Sequence, residues 1–89
     1  MQDEYIINLY FSRNQRAIEE TECKYGRYCH QIAMQILHDS QDAEETANDA
    51  LLRAWNSIPP CRPTILKLYL AKITRNLAFD RYRFQTSQK

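Results

Sequence analysis

The sequence predicts an all-α fold, a compact bundle of about four helices, on three observations. Helix-forming residues dominate, β-branched runs are absent, and no stretch alternates apolar with polar for long. A single glycine and three prolines in 89 residues, 44% of them hydrophobic, describe one small domain rather than two domains or a disordered tail. A chain this short buries only about 60% of the surface its unfolded form exposes, too little to enclose a deep cofactor cleft as well. A large metabolic enzyme is thereby disfavoured.

The first helix begins after Asp3, a good N-cap, and carries Tyr5, Ile6, Leu9 and Tyr10 to about Phe11. The polar Ser12-Arg13-Asn14 makes a joint. A long second helix follows to about Leu37, with Ile18, Glu22, Tyr25, Cys29, Ile32, Ala33 and Ile36 nearly in register as a mostly apolar stripe. Gly26 inside it costs about 1 kcal/mol relative to alanine, a cost that close helix packing would explain. His38-Asp39-Ser40-Gln41 stops one helix and starts the next, since Asp39 or Ser40 can cap a third helix whose acidic first turn complements the N-terminal dipole. That helix runs to about Ser57. Prolines 59, 60 and 63 then break the pattern, because proline lacks an amide donor and restrains the residue before it. A fourth helix starts near Thr64 and continues to about Phe84. Residues 1–84 thus form the domain, and residues 85–89 a polar tail.

Two helix faces are not explained by packing. On the third helix Ala43, Ala47, Ala50, Leu51, Ala54 and Ile58 share one side, a core stripe. Roughly opposite lie Glu45, Asn48, Asp49, Leu52 and Asn56, so that an apolar leucine stands among acids and amides. Read functionally, Leu52 supplies burial while Glu45 and Asp49 select a basic partner. The fourth helix places Leu66, Leu70, Ile73, Leu77 and Phe84 on its core side, and Leu68, Lys72, Arg75, Phe79, Tyr82 and Arg83 on another, with Lys67 and Arg81 flanking. Aromatic planes stack on unpaired bases and cations neutralise phosphates, so this mixture suits single-stranded or opened nucleic acid. The loop residues Cys61, Arg62 and Thr64 lie at the positive N-terminal end of that helix, where a phosphate or an extruded base is favoured. The alternative is an ordinary solvated surface and a mere connector.

Charge supports two surfaces. From Met1 to Ala50 ten acids face four bases, a balance of −6, whereas from Leu51 to Lys89 one acid faces eight bases, a balance of +7. No catalytic constellation emerges: the acids Asp42, Glu44 and Glu45 sit on a solvated first turn, His30 and His38 lack an evident nucleophile, and one glycine cannot make a phosphate loop. No enzyme activity and no cofactor are expected. Three cysteines without a Cys-x-x-Cys pair imply no metal and reduced thiols, with Cys23 and Cys29 expected as small buried hydrophobes. No apolar run approaches the ~18 to 20 residues needed to cross a bilayer, and the start Met1-Gln2-Asp3-Glu4 is not that of a secretory signal. A cytoplasmic protein without a membrane partner is expected.

Asp42-Ala43-Glu44-Glu45, then Asn48-Asp49-Ala50-Leu51-Leu52-Arg53-Ala54-Trp55, then a proline-bearing loop, then Tyr69-Leu70-Ala71-Lys72-Ile73-Thr74-Arg75-Asn76-Leu77-Ala78-Phe79-Asp80-Arg81-Tyr82-Arg83 resembles region 2 of bacterial sigma factors of the sigma-70 family, the extracytoplasmic-function group above all. Upstream, Ala17-Ile18 through Tyr25-Gly26-Arg27-Tyr28 and Ile32-Ala33 is similar to region 2.1. The resemblance implies a transcription initiation module whose third helix docks on the clamp helices of the RNA polymerase β′ subunit through Glu45, Asn48, Asp49, Leu52 and Asn56. It implies that the loop and fourth helix recognise the minus-ten promoter element and help melt it, with Cys61, Arg62 and Thr64 around a flipped base and Lys67, Lys72, Arg75, Asn76 and Phe79 on the upstream duplex edge and backbone. It gives Asp80 a structural role beside an arginine, and it implies an anti-sigma factor as a further partner. A complete factor of this group carries a second domain, region 4, expected beyond Lys89. The strongly basic run that usually follows the fourth helix is reduced here to Phe84-Gln85-Thr86-Ser87-Gln88-Lys89. The reading of another class is a helical protein-protein interaction module without DNA binding.

Overall fold

The computed structural model describes residues 1–87, which form four helices, α1 (Asp3–Phe11), α2 (Arg16–Leu37), α3 (Ser40–Ser57) and α4 (Leu66–Ser87). The long α2 is the central element and packs on the other three, while α3 also packs along α4. The main core joins Ile6, Leu9 and Tyr10 of α1 to Tyr25 and Cys29 of α2, Ala47, Ala50 and Ala54 of α3, and Leu66, Leu70 and Ile73 of α4. A smaller cluster, Ala33, Leu37, Ala43 and Ala78, closes the bundle where α2 ends and α3 begins. Small side chains on α3 let its axis approach its neighbours closely, which fixes which of its sides is left outside.

The helix boundaries have local causes. Asp39 accepts a hydrogen bond from the Asp42 backbone amide at 2.9 Å and so caps α3, while His38 ends α2 in the left-handed conformation at φ 55°. Three threonines are buried inside helices, where a free hydroxyl would be costly. Each donates to the carbonyl one turn back: Thr21 to Ala17 at 2.7 Å, Thr46 to Asp42 at 2.8 Å and Thr74 to Leu70 at 2.7 Å. The Thr21 oxygen is then left to accept from the fully buried Tyr10 hydroxyl, 2.7 Å away. Burial pushes the Tyr10 hydroxyl above its ordinary pKa.

Several sequence expectations need correction. Asp3 is not a cap: Gln2 occupies that position without a side-chain bond, and the Asp3 carboxylate instead takes Lys24 Nζ at 2.6 Å and the Tyr25 hydroxyl at 2.6 Å, tying α1 to α2. Cys29 is buried but Cys23 is exposed. Six residues at about 100° each turn the helix by about 240°, so the two thiols cannot share a face. Glu22, placed on the same stripe, is exposed as well. At Gly26 an added Cβ would meet only the Glu22 side chain of the same helix, 3.3 Å away, so close packing of a neighbouring helix does not explain this glycine. The fourth helix starts at Leu66 rather than near Thr64 and runs on to Ser87, past Phe84. Its stripe outlasts the packed part of the bundle: Ala78 is buried, whereas Phe84 stays 63% exposed. Gln88 and Lys89 of the expected tail lie outside the described residues.

Candidate functional site

With its alanines turned inward, α3 presents Glu45, Asn48, Asp49, Leu52 and Asn56 at the surface, and Leu52 is 55% exposed. The acids of this face do not stand alone. From α4, Arg81 reaches across with Nη1 2.9 Å from Glu45 Oε2 and 3.6 Å from Asp42 Oδ1, and with Nη2 3.6 Å from Asp49 Oδ2. The Gln85 amide donates to Asp42 Oδ2 at 2.8 Å. The first turn of α3 is therefore engaged by α4 rather than simply solvated, and Arg81 serves the α3 side instead of flanking the basic face.

On the outer side of α4, Leu68, Lys72, Arg75, Asn76, Phe79, Tyr82 and Arg83 are all exposed. Phe79 shows 48% and Tyr82 46% of its surface, so both rings are open to stacking. Lys72 and Arg75 have no carboxylate partner among the described residues, while Asp80 hydrogen-bonds and ion-pairs with Arg83. Lys67 stands 4.8 Å over the Tyr28 ring, a cation-π contact between α4 and α2.

The loop before α4 is anchored by burial of Ile58 and Pro63, and leaves Cys61, Arg62 and Thr64 exposed. Its peptide bonds Ile58-Pro59 and Pro59-Pro60 are cis. Ser57 and Tyr69 share a hydroxyl hydrogen bond of 2.6 Å across the base of the loop. Burial raises the Tyr69 hydroxyl pKa, Ser57 counters the rise, and the Cys61 thiol adds to it.

Sequence reasoning missed two arginine contacts here. Arg13, from the joint between α1 and α2, donates from Nη1 to the carbonyls of Trp55 at 2.9 Å and Ile58 at 2.8 Å, with its guanidinium 3.6 Å over the Trp55 ring. Arg62 donates to Asn8 Oδ1 at 3.0 Å and lies 5.0 Å from the Phe11 ring. Nothing in a polar Ser-Arg-Asn joint marks its arginine as the cap of a helix more than forty residues away. Among the described residues no group of three or more His, Cys, Asp or Glu could hold a metal ion. None of their helices is long and apolar enough to cross a membrane.

The profile of the Sigma-70 region 2 family matches residues 24–88, a span that takes in the α3 face, the loop and the α4 face. The chain belongs to the Sigma-70 region 2 family. No curated protein and no solved structure matches it. As a Sigma-70 region 2 domain it is a sigma-factor module of transcription initiation, of a family of DNA-binding transcription-factor domains rather than of enzymes. The matched span begins inside α2, so α1 and the joint that carries Arg13 lie outside it.

Proposed function

We propose that this region 2 domain is that of an extracytoplasmic-function sigma factor acting in the cytoplasm, which binds core RNA polymerase through α3 and recognises and helps melt the minus-ten promoter element through the loop and α4. The observation that carries the reading is that two chemically opposite faces on adjacent helices both stay at the surface, Leu52 ringed by acids and amides on one, Lys72, Arg75 and Phe79 on the other. On α3, Leu52 supplies the apolar area against the β′ clamp helices, Glu45 and Asp49 select basic groups, and Asn48 and Asn56 hydrogen-bond at the rim. On α4, Lys67, Lys72, Arg75, Asn76 and Phe79 meet the upstream duplex edge and backbone, and Cys61, Arg62 and Thr64 surround a flipped base of the non-template strand. Opening DNA costs a few kcal/mol per flipped base, which stacking on exposed rings and phosphate neutralisation offset. The acids and cations are on different helices, so one domain can hold a protein and a polyanion together. An anti-sigma factor is a further expected partner.

The test separates the two faces. Asp49→Ala with Leu52→Ala is expected to abolish capture of core polymerase, whereas Lys72→Ala with Arg75→Ala is expected to spare capture and lose promoter opening. If both pairs leave polymerase capture and transcription unchanged, the proposal fails.

A further inference from the structure

The region outside the family match holds the recognition loop at two points. Arg13 satisfies two carbonyls at the end of α3, those of Trp55 and Ile58, and Ile58 is the residue from which the loop departs. These are among the carbonyls that a helix leaves without an internal partner at its C-terminus. A guanidinium that donates to both, while stacked 3.6 Å over Trp55, sets the direction in which the chain leaves the helix. Farther along, Arg62 is exposed and would sample many rotamers, yet Asn8 accepts from it at 3.0 Å and the Phe11 ring lies 5.0 Å away. Both contacts come from α1 or its joint, across more than forty residues of sequence.

The geometry points to α1 and the Ser12-Arg13-Asn14 joint as a brace for base recognition, in which Arg13 positions the start of the loop and Asn8, with Phe11, positions the Arg62 side chain. Asn8, Phe11 and Arg13 are positioning residues: they act on the base through the loop. The physical gain is pre-organisation. A loop and a long side chain already ordered before DNA arrives give up less conformational freedom on binding, and a fixed donor discriminates between bases more sharply than a mobile one. The inference rests on the reading of Cys61, Arg62 and Thr64 as the base-contacting segment.

The experiment uses the full chain assembled with core RNA polymerase and a library of promoter fragments randomised across the minus-ten segment, with retained fragments sequenced to give a base preference at each position. Polymerase capture and melting temperature are measured beside it. Arg62→Ala and Thr64→Ala mark the positions that the loop reads. Asn8→Ala is expected to reduce the preference at those positions about fivefold, as for the loss of one positioned base contact, with capture and melting temperature unchanged. Asn8→Asp keeps an acceptor for Arg62 and is expected to restore the preference, and Asn8→Ala added to Arg62→Ala is expected to do nothing more. Arg13→Met, which keeps the stem over Trp55 but removes the donors, is expected to weaken preference at the same positions; the exposed Asn8 variants carry the test if that protein does not fold. If Asn8→Ala leaves the profile of the unaltered chain while Arg62→Ala and Thr64→Ala change it, the brace is overturned and the role of the loop stands. A profile indifferent to the loop substitutions as well overturns both.

Discussion

The α3 face and the α4 face carry charges of opposite sign that are spent differently. On α3, Glu45 and Asp49 share the guanidinium of Arg81 with Asp42, so part of their charge is already met within the domain. On α4, Lys72 and Arg75 have no carboxylate partner among the described residues and keep their full charge for an outside anion. Net charge along a sequence therefore does not measure the charge a surface offers. A face with internal compensation, if it docks on a protein as proposed, is expected to bind chiefly through its apolar centre, here Leu52, and to depend weakly on salt. An uncompensated face binds a polyanion by counterion release and depends on salt steeply.

The largest expected effect breaks the α3 side. Leu52→Asp should weaken polymerase capture by about 30-fold, equivalent to about 2 kcal/mol for one buried leucine, with little loss of fold because the position is exposed. A pull-down titration with core enzyme measures it, and an unchanged titration would remove Leu52 from the interface. Next, Lys72→Ala with Arg75→Ala should weaken binding of single-stranded minus-ten oligonucleotides about 15-fold at physiological salt and make the slope of log K against log salt shallower by about 1.4, since two phosphate contacts are lost. Fluorescence anisotropy across a salt series reads both quantities.

Arg81→Met removes the internal compensation of the α3 acids without touching α4's outer face. It is expected to cost about 0.5–1 kcal/mol of stability, modest because Glu45 and Asp49 are well exposed, and to make polymerase capture more salt-dependent as the acids are unmasked. Denaturant unfolding and capture at two ionic strengths test these together. Gly26→Ala, on neither face, should raise stability by about 0.5–1 kcal/mol, since Gly26 has no positive φ and only the Glu22 side chain must shift. A lower unfolding midpoint would show that the glycine is needed there.

The smallest effect lies at the α1–α2 tie. Partial burial raises the Asp3 carboxyl, but hydrogen bonds from Lys24 and Tyr25 and the Lys24 charge outweigh it and hold its pKa below the ordinary value. Burial first, and then the bond to Asp3, push the Tyr25 hydroxyl up to about 12. The Asp3 contribution to stability is present above the unfolded carboxyl pKa of about 3.9 and is lost as pH falls through the lower folded value; that of Tyr25 is present below about 10 and is lost as pH rises through about 12. Asp3→Asn should flatten the acid limb of a stability-against-pH curve, whereas Lys72→Ala should leave it unchanged.

The helices, most of their core stripes and the outward positions of the two proposed faces were legible in the sequence, because a helix repeats every 3.6 residues and local composition suffices to phase it. The alanines at 43, 47, 50 and 54 all turned inward, which left Leu52 outside. The same phasing failed at Glu22 and Phe84, where a stripe was drawn too wide or carried beyond the part of the bundle that covers it, and the general tendency of free cysteines to be buried failed at Cys23. The family resemblance added what periodicity does not contain, the order of acidic helix, loop and basic-aromatic helix.

The tertiary structure alone decided where the long polar side chains went. Asp3 left its capping role for Lys24 and Tyr25, Arg81 turned from the flank of the basic α4 face to three acids of α3, Arg13 capped a distant helix, and Arg62 reached back to Asn8. An apolar residue only has to avoid water, a requirement that its immediate neighbours in sequence already express. A charged group has to find a particular donor or acceptor at about 3 Å, and which one comes within reach is settled only when segments remote in sequence are packed side by side.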